Sequence, residues 1–404
     1  MSASSFVYNP LILNGMNILF FYESANCGGQ QTQTYNLVKR LAKKGHQVSW
    51  VYLYGSGIED AAAAYATVEK IPIPLRPKEY RRKPWKLLTI GGGLFKFCRA
   101  NEIEVIISGS GIGSLVCGWV ARRLGIQHYR LVGGSLKQIG PTLYRIYPWI
   151  RIDALIDGYF GWPAVFEELE SKGVSSTKFV ELQNAVDTDM FFPLPSAERE
   201  RVRSSLGIQT DEVVIGWIGR IARNMQVWST VELAGRLRET GFDRFKLLFV
   251  GGGPDFDDLK TLVSQTGLDR VAIYTDWLPM TEVNRFVNAM DVVPLLEADP
   301  QGGSIVREAM ACGRVALSVD GESATQRRFM LPDCSILVSP DNYVGAAAEA
   351  ILDLVANDQL ENMGRKARLY AEKHMSFEAQ VQAILNTVQR NPSTGQGESR
   401  ESSI

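Results

Sequence analysis

Residues 300–320 (PQGGSIVREAMACGRVALSVD) combine a glycine-bearing loop with the start of a helix, a pattern that suits binding of a phosphate group. Gly302 and Gly303 allow the backbone to approach a ligand closely or to adopt positive φ. Ser304 is of a residue type that caps helix N-termini, and Gly313 is placed to end the helix. The free N–H groups at such a helix start carry partial positive charge and attract anions. An ordinary loop–helix–strand unit of an α/β domain is the alternative interpretation.

A second glycine turn, Gly28-Gly29, follows the apolar run at residues 16–22. That run is of buried-strand type, and the next segment has leucines at helical spacing before a further strand at 48–54. The pattern predicts a strand–helix–strand unit with the two glycines at the strand-to-helix turn. The pair lacks the G-x-G-x-x-G spacing of a dinucleotide fingerprint, so a purely steric role is the alternative.

The whole chain alternates between short apolar strands and amphipathic helices, which predicts an α/β fold of two doubly wound Rossmann-like domains facing a cleft. Further strands are predicted at 105–108, 128–132, 154–161, 179–182, 213–220, 246–253, 271–277, 291–296 and 315–319. Helices are predicted at 115–124, 227–239, 257–265 and 376–389. The predicted domains are an N-terminal arm (1–15), a first domain (16–195), a second domain (196–375), a C-terminal helix (376–390) that crosses back to the first domain, and a disordered tail (391–404).

Composition excludes several classes of protein. The 404 residues are 45% hydrophobic and 22% charged with a formal charge of −1, so the chain does not resemble a basic nucleic-acid-binding protein. No apolar run reaches the roughly 18 residues of a membrane span, and the N-terminus lacks the pattern of a signal peptide. The cysteines show no C-x-x-C spacing, which favours reduced thiols in a cytoplasmic protein and no zinc site. They are Cys27, Cys98, Cys117, Cys312 and Cys334.

The segment NAVDTDMFFP (184–193) has turn-forming residues and a terminal proline, which predicts a linker between the domains. Asp187 and Asp189 resemble a metal-binding pair of aspartates. Their setting favours an Asx turn instead, and no metal site is predicted.

These landmarks in this order resemble the retaining nucleotide-sugar-dependent glycosyltransferases of the GT-B fold, family 4, over residues 16–390. The matching motifs are the Gly28-Gly29 turn with GHQV at 45–48, the linker, GRI at 219–221, VGGGP at 250–254 and GGSIVREAMACG at 302–313. The resemblance implies a UDP- or GDP-sugar donor held mainly by the second domain. It implies a glycan, lipid-linked or small-molecule acceptor held by the first domain, and no tightly bound cofactor or metal.

The resemblance also implies roles for individual residues. Arg220 matches the arginine that contacts the donor diphosphate, a task suited to a permanently charged, bidentate guanidinium. Glu308 matches the glutamate that binds the ribose hydroxyls, although a helix N-terminal glutamate of purely structural role is the alternative. Trp277 lies where the family reads the base, or is a core or rim aromatic. The donor-binding positions implied by the resemblance are Gly28, Gly29, Gly219, Trp277, Leu278, Gly303, Ser304 and Glu308.

Three positions depart from the family pattern. Pro300 stands where a glutamate binds the transferred sugar, Met225 where a lysine contacts the diphosphate, and Gly133 near the place of a histidine. Arg223 lies two positions before Met225 and is expected to supply part of the missing charge, as a second catalytic residue beside Arg220. The three histidines, His46, His128 and His374, are predicted to be structural. Two hypotheses follow: a working enzyme with a rewired site, or a non-catalytic homologue acting as a partner subunit or nucleotide-binding module.

Residues 74–99 carry eight basic residues against the single acid Glu79, interleaved with aromatics. Basic and aromatic residues together suit peripheral docking on an anionic membrane face. Binding of an anionic acceptor and a solvated basic face are the alternatives.

Overall fold

The computed structural model describes residues 15–25, 29–55, 62–70, 86–109, 111–132, 152–182, 184–223, 225–296, 304–320 and 330–390. These residues form two compact units. The first takes its described residues from Met1–Gly161, Val165–Glu181 and Val381–Ile404. The second takes them from Trp162–Ala164 and Leu182–Gln380.

The first unit contains a seven-stranded sheet in which every pair of neighbouring strands is parallel. Its order is β3-β2-β1-β4-β5-β6-β7. Parallel strands are covered on both faces, which explains the uninterrupted apolar runs that form β1 and β4. The strands are β1 (Asn17–Ala25), β2 (Gln47–Gly55), β3 (Thr67–Lys70), β4 (Val105–Ser108), β5 (Gln127–Leu131), β6 (Gly158–Gly161) and β7 (Phe179–Glu181).

Helices connect these parallel strands. They are α1 (Gly29–Lys43), α2 (Lys86–Ala100), α3 (Gly111–Leu124) and α4 (Pro163–Glu170). Sequence reasoning did not predict α2, because its three consecutive glycines at 91–93 have poor helix propensity. Burial of Ile90, Leu94, Phe97 and Cys98 on one face outweighs that propensity.

The strand predicted at 154–161 is shorter than expected, because only Gly158–Gly161 pairs with its neighbours. The preceding residues Ile152–Leu155 form a 3₁₀ turn. The Lys178 ammonium fixes this turn by donating to the carbonyl oxygens of Asp153 at 2.6 Å and Ile156 at 2.7 Å. Those carbonyls are therefore occupied by a side chain instead of a strand ladder.

The second unit contains a six-stranded parallel sheet of order β10-β9-β8-β11-β12-β13. This order and the order of the first six strands of the first sheet are both the 3-2-1-4-5-6 arrangement of dinucleotide-binding folds. The predicted pair of doubly wound Rossmann-like domains is confirmed. The strands are β8 (Val213–Ile218), β9 (Phe245–Val250), β10 (Ala272–Thr275), β11 (Val292–Leu295), β12 (Val315–Val319) and β13 (Ile336–Val338).

The helices that cover the second sheet surround one large apolar core. The predicted helix at 227–239 has the expected bounds, and the predicted helix at 257–265 begins one residue earlier. A π-helical turn, Ala371–Met375, precedes the last helix. The helices are α5 (Ser196–Ser205), α6 (Val227–Glu239), α7 (Phe256–Gln265), α8 (Met280–Ala289), α9 (Ser304–Ala311), α10 (Tyr343–Ala356), α11 (Leu360–Tyr370) and α12 (Phe377–Arg390).

The predicted linker is bonded into the second unit. Asn284 on α8 accepts from the backbone N–H of Phe192 at 3.1 Å, and Asn288 accepts from the N–H of Leu194 at 2.8 Å. Asn288 also donates to the Phe192 carbonyl at 3.0 Å. The linker lies within the continuous stretch Leu182–Gln380 of the second unit, whereas the prediction placed it at the end of the first domain, up to residue 195.

Two further predictions concern the ends of this segment and of the chain. The N–H of Asp189 donates to the Asp187 carboxylate at 3.1 Å, which confirms the Asx turn. The later part of α12 belongs to the first unit, where the Gln127 amide donates to the Val388 carbonyl at 3.1 Å. The predicted arm, apart from residue 15, and the predicted disordered tail lie outside the described residues.

Candidate functional site

The candidate site in the second unit lies at the carboxyl ends of β8 and β11, which are neighbours in the sheet although not in the chain. The chain leaves β8 toward β9 on one side and leaves β11 toward β12 on the other. Doubly wound sheets bind ligands at such a switch point, outside the carboxyl ends of the strands. Arg220 follows β8, and α9 with Ser304 and Glu308 follows β11. The fold therefore brings together two groups of predicted residues separated by more than 80 positions in the sequence.

Glycines hold the loops after β8 and β9 in close contact. Gly219 has φ +139° and Gly251 has φ +124°, values that side-chain-bearing residues rarely adopt. A Cβ atom on Gly251 would lie 2.2 Å from the Gly219 carbonyl oxygen, and one on Gly253 would lie 2.0 Å from that of Ile221. The N–H of Ile221 donates to the Gly252 carbonyl at 2.9 Å. The motifs GRI and VGGGP thus form one packed double loop.

The two predicted catalytic arginines have different surroundings in this double loop. The side chain of Arg220 is exposed and forms no hydrogen bond or ion pair with the residues that the structure describes. The guanidinium of Arg223 contacts the Asp258 carboxylate at 2.6 Å and lies 3.8 Å from that of Asp255. The hydrogen bond and the charge of Asp258 raise the pKa of Arg223. Arg220 is therefore available for an incoming anion, whereas Arg223 has to leave its carboxylates first.

Met225, the residue at the family's lysine position, packs partly buried against the apolar core of the second unit. Its side chain brings no charge to the double loop. The positive charge near this position comes from Arg220 and Arg223 among the described residues of the loop.

Trp277 and Leu278 follow the adjacent strand, β10. The Trp277 side chain is 61% exposed, and its indole nitrogen would lie 3.0 Å from a Cβ atom on Gly252. The lack of a side chain at Gly252 is what lets the indole lie over the double loop. The backbone N–H of Trp277 donates to its neighbour Asp276 at 2.7 Å. Leu278 is partly buried against the core, so of the two predicted residues it is Trp277 that presents a large apolar surface.

Helix α9 begins at Ser304, which is therefore its first helical residue. The sequence pattern predicts Ser304 instead as the capping residue that precedes the helix. Its hydroxyl hydrogen-bonds to the Glu308 carboxylate, one turn later. Burial raises the pKa of Glu308 above the ordinary glutamate range, while the Arg307 guanidinium and the Ser304 hydrogen bond oppose that shift. Arg307 itself is buried. Glu308 as a whole residue is partly buried.

Several predicted positions lie outside the described residues, namely Gly28, Gly133, Pro300, Gly302 and Gly303. Gly29 is described as the first residue of α1. This places it just after the carboxyl end of β1, at the equivalent point of the first sheet. The roles of these six positions stay predictions.

The first unit has a buried polar network in which His128 is structural. Its Nε2 lies 2.9 Å from the Ser108 hydroxyl, and its Nδ1 lies 2.7 Å from the Leu155 carbonyl oxygen. The carbonyl requires a donor, so Nδ1 carries the proton and the Ser108 hydroxyl donates to Nε2. Burial lowers the pKa of His128 to about 4. The ring is therefore neutral at pH 7.

His46 and His374 also lie in structural settings. Nδ1 of His46 accepts from the N–H of Met16 at 3.1 Å, and burial lowers its pKa. The ring of His374 packs against that of Tyr370, with centroids 4.7 Å apart.

Sequence reasoning missed the residues that support the double loop and the linker. Asp255 and Asp258 hold Arg223, and Asn284 and Asn288 hold the linker. The asparagines could have been found, because their spacing of four puts both on one face of a helix. In the described part of the chain, no cluster of three or more potential metal ligands occurs, and no helix is long and apolar enough to span a membrane.

Comparison with known proteins places this geometry in a family. The model for Glycosyltransferase Family 4 matches residues 27–156, and the model for Glycosyl transferases group 1 matches residues 198–370. The two matches lie one after the other along the chain and identify it as a glycosyltransferase, whose residues 198–370 are similar to the group 1 enzymes. This glycosyltransferase contains the double loop, Trp277, Ser304 and Glu308 within the second match.

Individual relatives agree with this assignment. A D-inositol 3-phosphate glycosyltransferase of Corynebacterium aurimucosum is 25% identical over 326 residues, 74% of this chain and 76% of the relative. A 2-deoxystreptamine glucosyltransferase of Streptomyces kanamyceticus is 34% identical over 131 residues, 32% of this chain and 33% of the relative. The chain thus matches only about a third of the latter protein's length.

Among solved structures, Anabaena Alr3699/HepE in complex with UDP has a TM-score of 0.73 at 14% identity. The match covers 93% of this chain and 100% of that one. At this identity the likeness shows the fold alone. It agrees with the GT-B class, two Rossmann-like domains in one chain.

Proposed function

We propose that this glycosyltransferase moves a sugar from a nucleoside-diphosphate donor, a UDP- or GDP-sugar, to an acceptor hydroxyl with retention of configuration. The observation that carries the proposal is the exposed Arg220, held at the switch point of the second sheet by the Gly219–Gly251 contact. A guanidinium there suits the diphosphate, since it is always charged and binds two phosphate oxygens at once. The UDP bound in the Anabaena structure supports the same class of donor.

The other residues bind different parts of the donor. Glu308 accepts hydrogen bonds from the two ribose hydroxyls, and the N–H groups at the start of α9 face the diphosphate. Trp277 offers an exposed aromatic face to the base beside the double loop. We also assign Gly28 and Gly29 to donor binding, on the family resemblance alone.

Transfer proceeds by front-face attack. The acceptor oxygen bonds to the anomeric carbon on the face from which the nucleoside diphosphate leaves, and the acceptor proton passes to a departing phosphate oxygen. Arg220 stabilises the charge that develops on that oxygen, which is the role of an oxyanion donor. No protein nucleophile takes part, so the mechanism tolerates the absence of the family's histidine at Gly133.

Arg223 adds charge to the same phosphate after it exchanges its carboxylate partners for the donor. Both Arg223 and Asp258 are exposed, and exposed ion pairs are weak because water and salt screen them. The exchange is therefore accessible. The side chain of Pro300 cannot accept a hydrogen bond from the transferred sugar, which favours a donor without the usual hydroxyl, such as a deoxy or modified sugar.

The test is turnover with a panel of UDP-, GDP- and deoxysugar donors and acceptors that include inositol phosphates, lipid-linked glycans and aminocyclitols. Arg220→Gln should reduce kcat/KM by roughly 100-fold, the effect of removing one oxyanion donor. The matched control is Arg285→Gln, which removes an exposed arginine that pairs with Glu282 on α8. Equal activity of the Arg220 variant and wild type would refute the assigned role.

A non-catalytic homologue that binds the nucleotide is the second candidate, favoured by Met225, which buries an uncharged side chain at the family's lysine position. Calorimetry with UDP and GDP separates the two functions. Nucleotide binding without turnover, in the presence of candidate partner enzymes and acceptors, supports the module. Turnover by the chain alone excludes it.

For the acceptor side we propose docking on an anionic membrane face through α2 and α3. Lys96 and Arg99 on α2 are exposed, and Arg123 on α3 covers the ring of Trp119 at 5.2 Å. Trp119 is itself 42% exposed, which combines cationic and aromatic groups on one described surface. Co-sedimentation should be stronger with vesicles containing anionic lipid than with neutral ones, and Lys96→Glu with Arg99→Glu should abolish the difference. Equal binding to both vesicle types would exclude the docking surface.

A further inference from the structure

A cavity of about 400 Å³ lies within the second unit, at the amino-terminal end of β12. Arg314, which lines it, immediately precedes β12, whereas the donor residues follow the carboxyl ends of β8 and β11. Five residues of strand separate Arg314 from the carboxyl end of β12, roughly 16 Å at the usual rise. The cavity is therefore a separate place in the fold.

Four guanidinium groups line this cavity, those of Arg199, Arg314, Arg365 and Arg368. The only carboxylates that line it are Glu200 and Glu361, counting the described residues. We propose that the cavity is a second anion site, and that it binds a phosphate-bearing small molecule such as a sugar phosphate.

Carbonyl oxygens hold three of the arginines in place, and two of these three also pair with carboxylates outside the cavity lining, Arg199 with Asp291 and Arg368 with Glu372. Arg314 donates through Nε to the Cys312 carbonyl at 3.2 Å, and Arg199 donates through Nε to that of Asn288 at 2.7 Å. Arg368 donates to the Ala311 carbonyl at 2.7 Å. Side chains fixed in this way lose little conformational freedom when a ligand arrives.

The loop that carries Arg314 is fixed as well. Gly313 has φ +66°, and a Cβ atom on Gly364 would lie 2.1 Å from the Gly313 carbonyl oxygen. The two glycines let the loop and α11 approach closely. The same approach brings Arg314 to the first turn of α11, where Glu361 lies.

Glu361 occupies the position that an anion would take. One of its oxygens, Oε1, accepts from Nη1 of Arg199 and from Nη1 of Arg314, each at 3.1 Å. The side chains of Arg199 and Arg314 are only 13% and 8% exposed, whereas the side chain of Glu361 is 61% exposed. An exposed carboxylate at the rim can turn into water and leave Nη1 of each arginine free to bind a phosphate, while Nη2 of Arg199 stays paired with Asp291.

Two of the lining arginines have no carboxylate partner besides Glu361 among the described residues: Arg314 pairs with Glu361 alone, and Arg365 with none. Burial lowers the pKa of Arg314, and the charge of Arg199 lowers it further, although Glu361 and Asp291 oppose both effects. A phosphate that displaces Glu361 would take over its charge-assisted hydrogen bonds to Arg199 and Arg314.

The rest of the cavity suits a ligand larger than phosphate. Pro193, Leu194 and Leu369 add apolar surface, and Leu369 is 66% exposed at the rim. Arg365 is exposed and hydrogen-bonds only to Asn362 among the described residues, at 3.3 Å. A volume of this size matches a small ligand with a phosphate at the arginines and a ring on the apolar side.

The test is calorimetric titration of the full chain with inorganic phosphate and with glucose 6-phosphate. Glu361→Gln removes the carboxylate that competes with the ligand for Arg199 and Arg314. The affinity for both ligands should therefore rise roughly tenfold, the order of one charge-assisted hydrogen bond. Arg365→Gln should weaken the binding of glucose 6-phosphate several-fold. Both residues are exposed, so the variants are expected to fold, and thermal melting checks this.

The Arg220→Gln variant separates this cavity from the donor site. It should leave glucose 6-phosphate binding unchanged, whatever its effect on nucleotide. The inference is overturned if wild type shows no binding, if Glu361→Gln and Arg365→Gln bind both ligands with wild-type affinity, or if only Arg220→Gln loses binding. The donor-site proposal is tested by nucleotide titrations instead. The donor-site proposal and the anion-site proposal can therefore be refuted independently.

Discussion

Replacement of Gly251 by alanine tests whether the glycine contacts of the double loop hold the donor site together. The φ of +124° at Gly251 costs about 1–3 kcal/mol for a residue with a side chain. The new Cβ atom also has to move from 2.2 Å to beyond 3 Å from the Gly219 carbonyl oxygen, which strains or breaks a loop hydrogen bond worth about 1 kcal/mol. We expect Gly251→Ala to lose about 2–4 kcal/mol of unfolding free energy.

Two matched variants separate the contributions. Gly241→Ala has φ +84° with nothing within 4 Å of the new Cβ atom, so only the backbone cost of about 1–2 kcal/mol applies. Gly253→Ala has no positive φ but a contact of 2.0 Å with the Ile221 carbonyl, so only the steric cost applies. Urea unfolding measures all three.

The same variants report on binding. A displacement of about 1 Å in the double loop moves Arg220, and misplacement on that scale can cost up to about 100-fold. UDP affinity, measured by calorimetry, should fall at least tenfold in Gly251→Ala and Gly253→Ala and stay unchanged in Gly241→Ala. The reasoning is refuted if Gly251→Ala is no worse than Gly241→Ala in both stability and nucleotide affinity.

Three further predictions follow from single side chains. Trp277→Ala should weaken UDP binding roughly tenfold through loss of base stacking and leave the melting temperature unchanged. Trp277→Phe should keep most of the affinity. A wild-type affinity in the alanine variant would contradict the stacking role. Because the pKa of Glu308 is raised, its carboxylate becomes protonated at a pH above the ordinary glutamate range. UDP affinity should therefore fall on acidification at that higher pH. The fall should be absent in Glu308→Gln. His128 has a pKa lowered to about 4, so its contribution to stability is present above pH 6.5 and is lost as pH falls toward 4, by about 3 kcal/mol. Urea unfolding at pH 7 and pH 4 should show this loss in wild type but not in His128→Gln, and an identical loss in both proteins would show that other groups cause it.

The sequence pattern predicted the strands well where burial on both faces made them continuously apolar. The runs at 105–108 and 315–319 form strands with the predicted bounds. It failed where tertiary contacts outweigh local preference. Helix α2 forms through its three glycines because its buried stripe packs on α3, where Gly91 lies against the ring of Trp119.

The sequence named candidate residues for the site, whose roles stay predictions, but it did not indicate their surroundings. The motif order indicated Arg220 and Glu308, and the strand order brings them to one switch point. Nothing in the local sequence indicated that Arg223 is bound by Asp255 and Asp258, because those partners lie more than 30 residues away. The same holds for Glu361, which meets two arginines from distant parts of the chain.

The return of the last helix to the first unit has a consequence for synthesis on the ribosome. The stretch from Val381 onward completes the first unit, yet roughly 200 residues of the second unit are made before it emerges. At translation rates of about 5–20 residues per second, the first sheet waits on the order of 10–40 s for the residues that Gln127 contacts. A nascent chain stalled before residue 381 should therefore be more readily cleaved by protease in its N-terminal half than the finished protein.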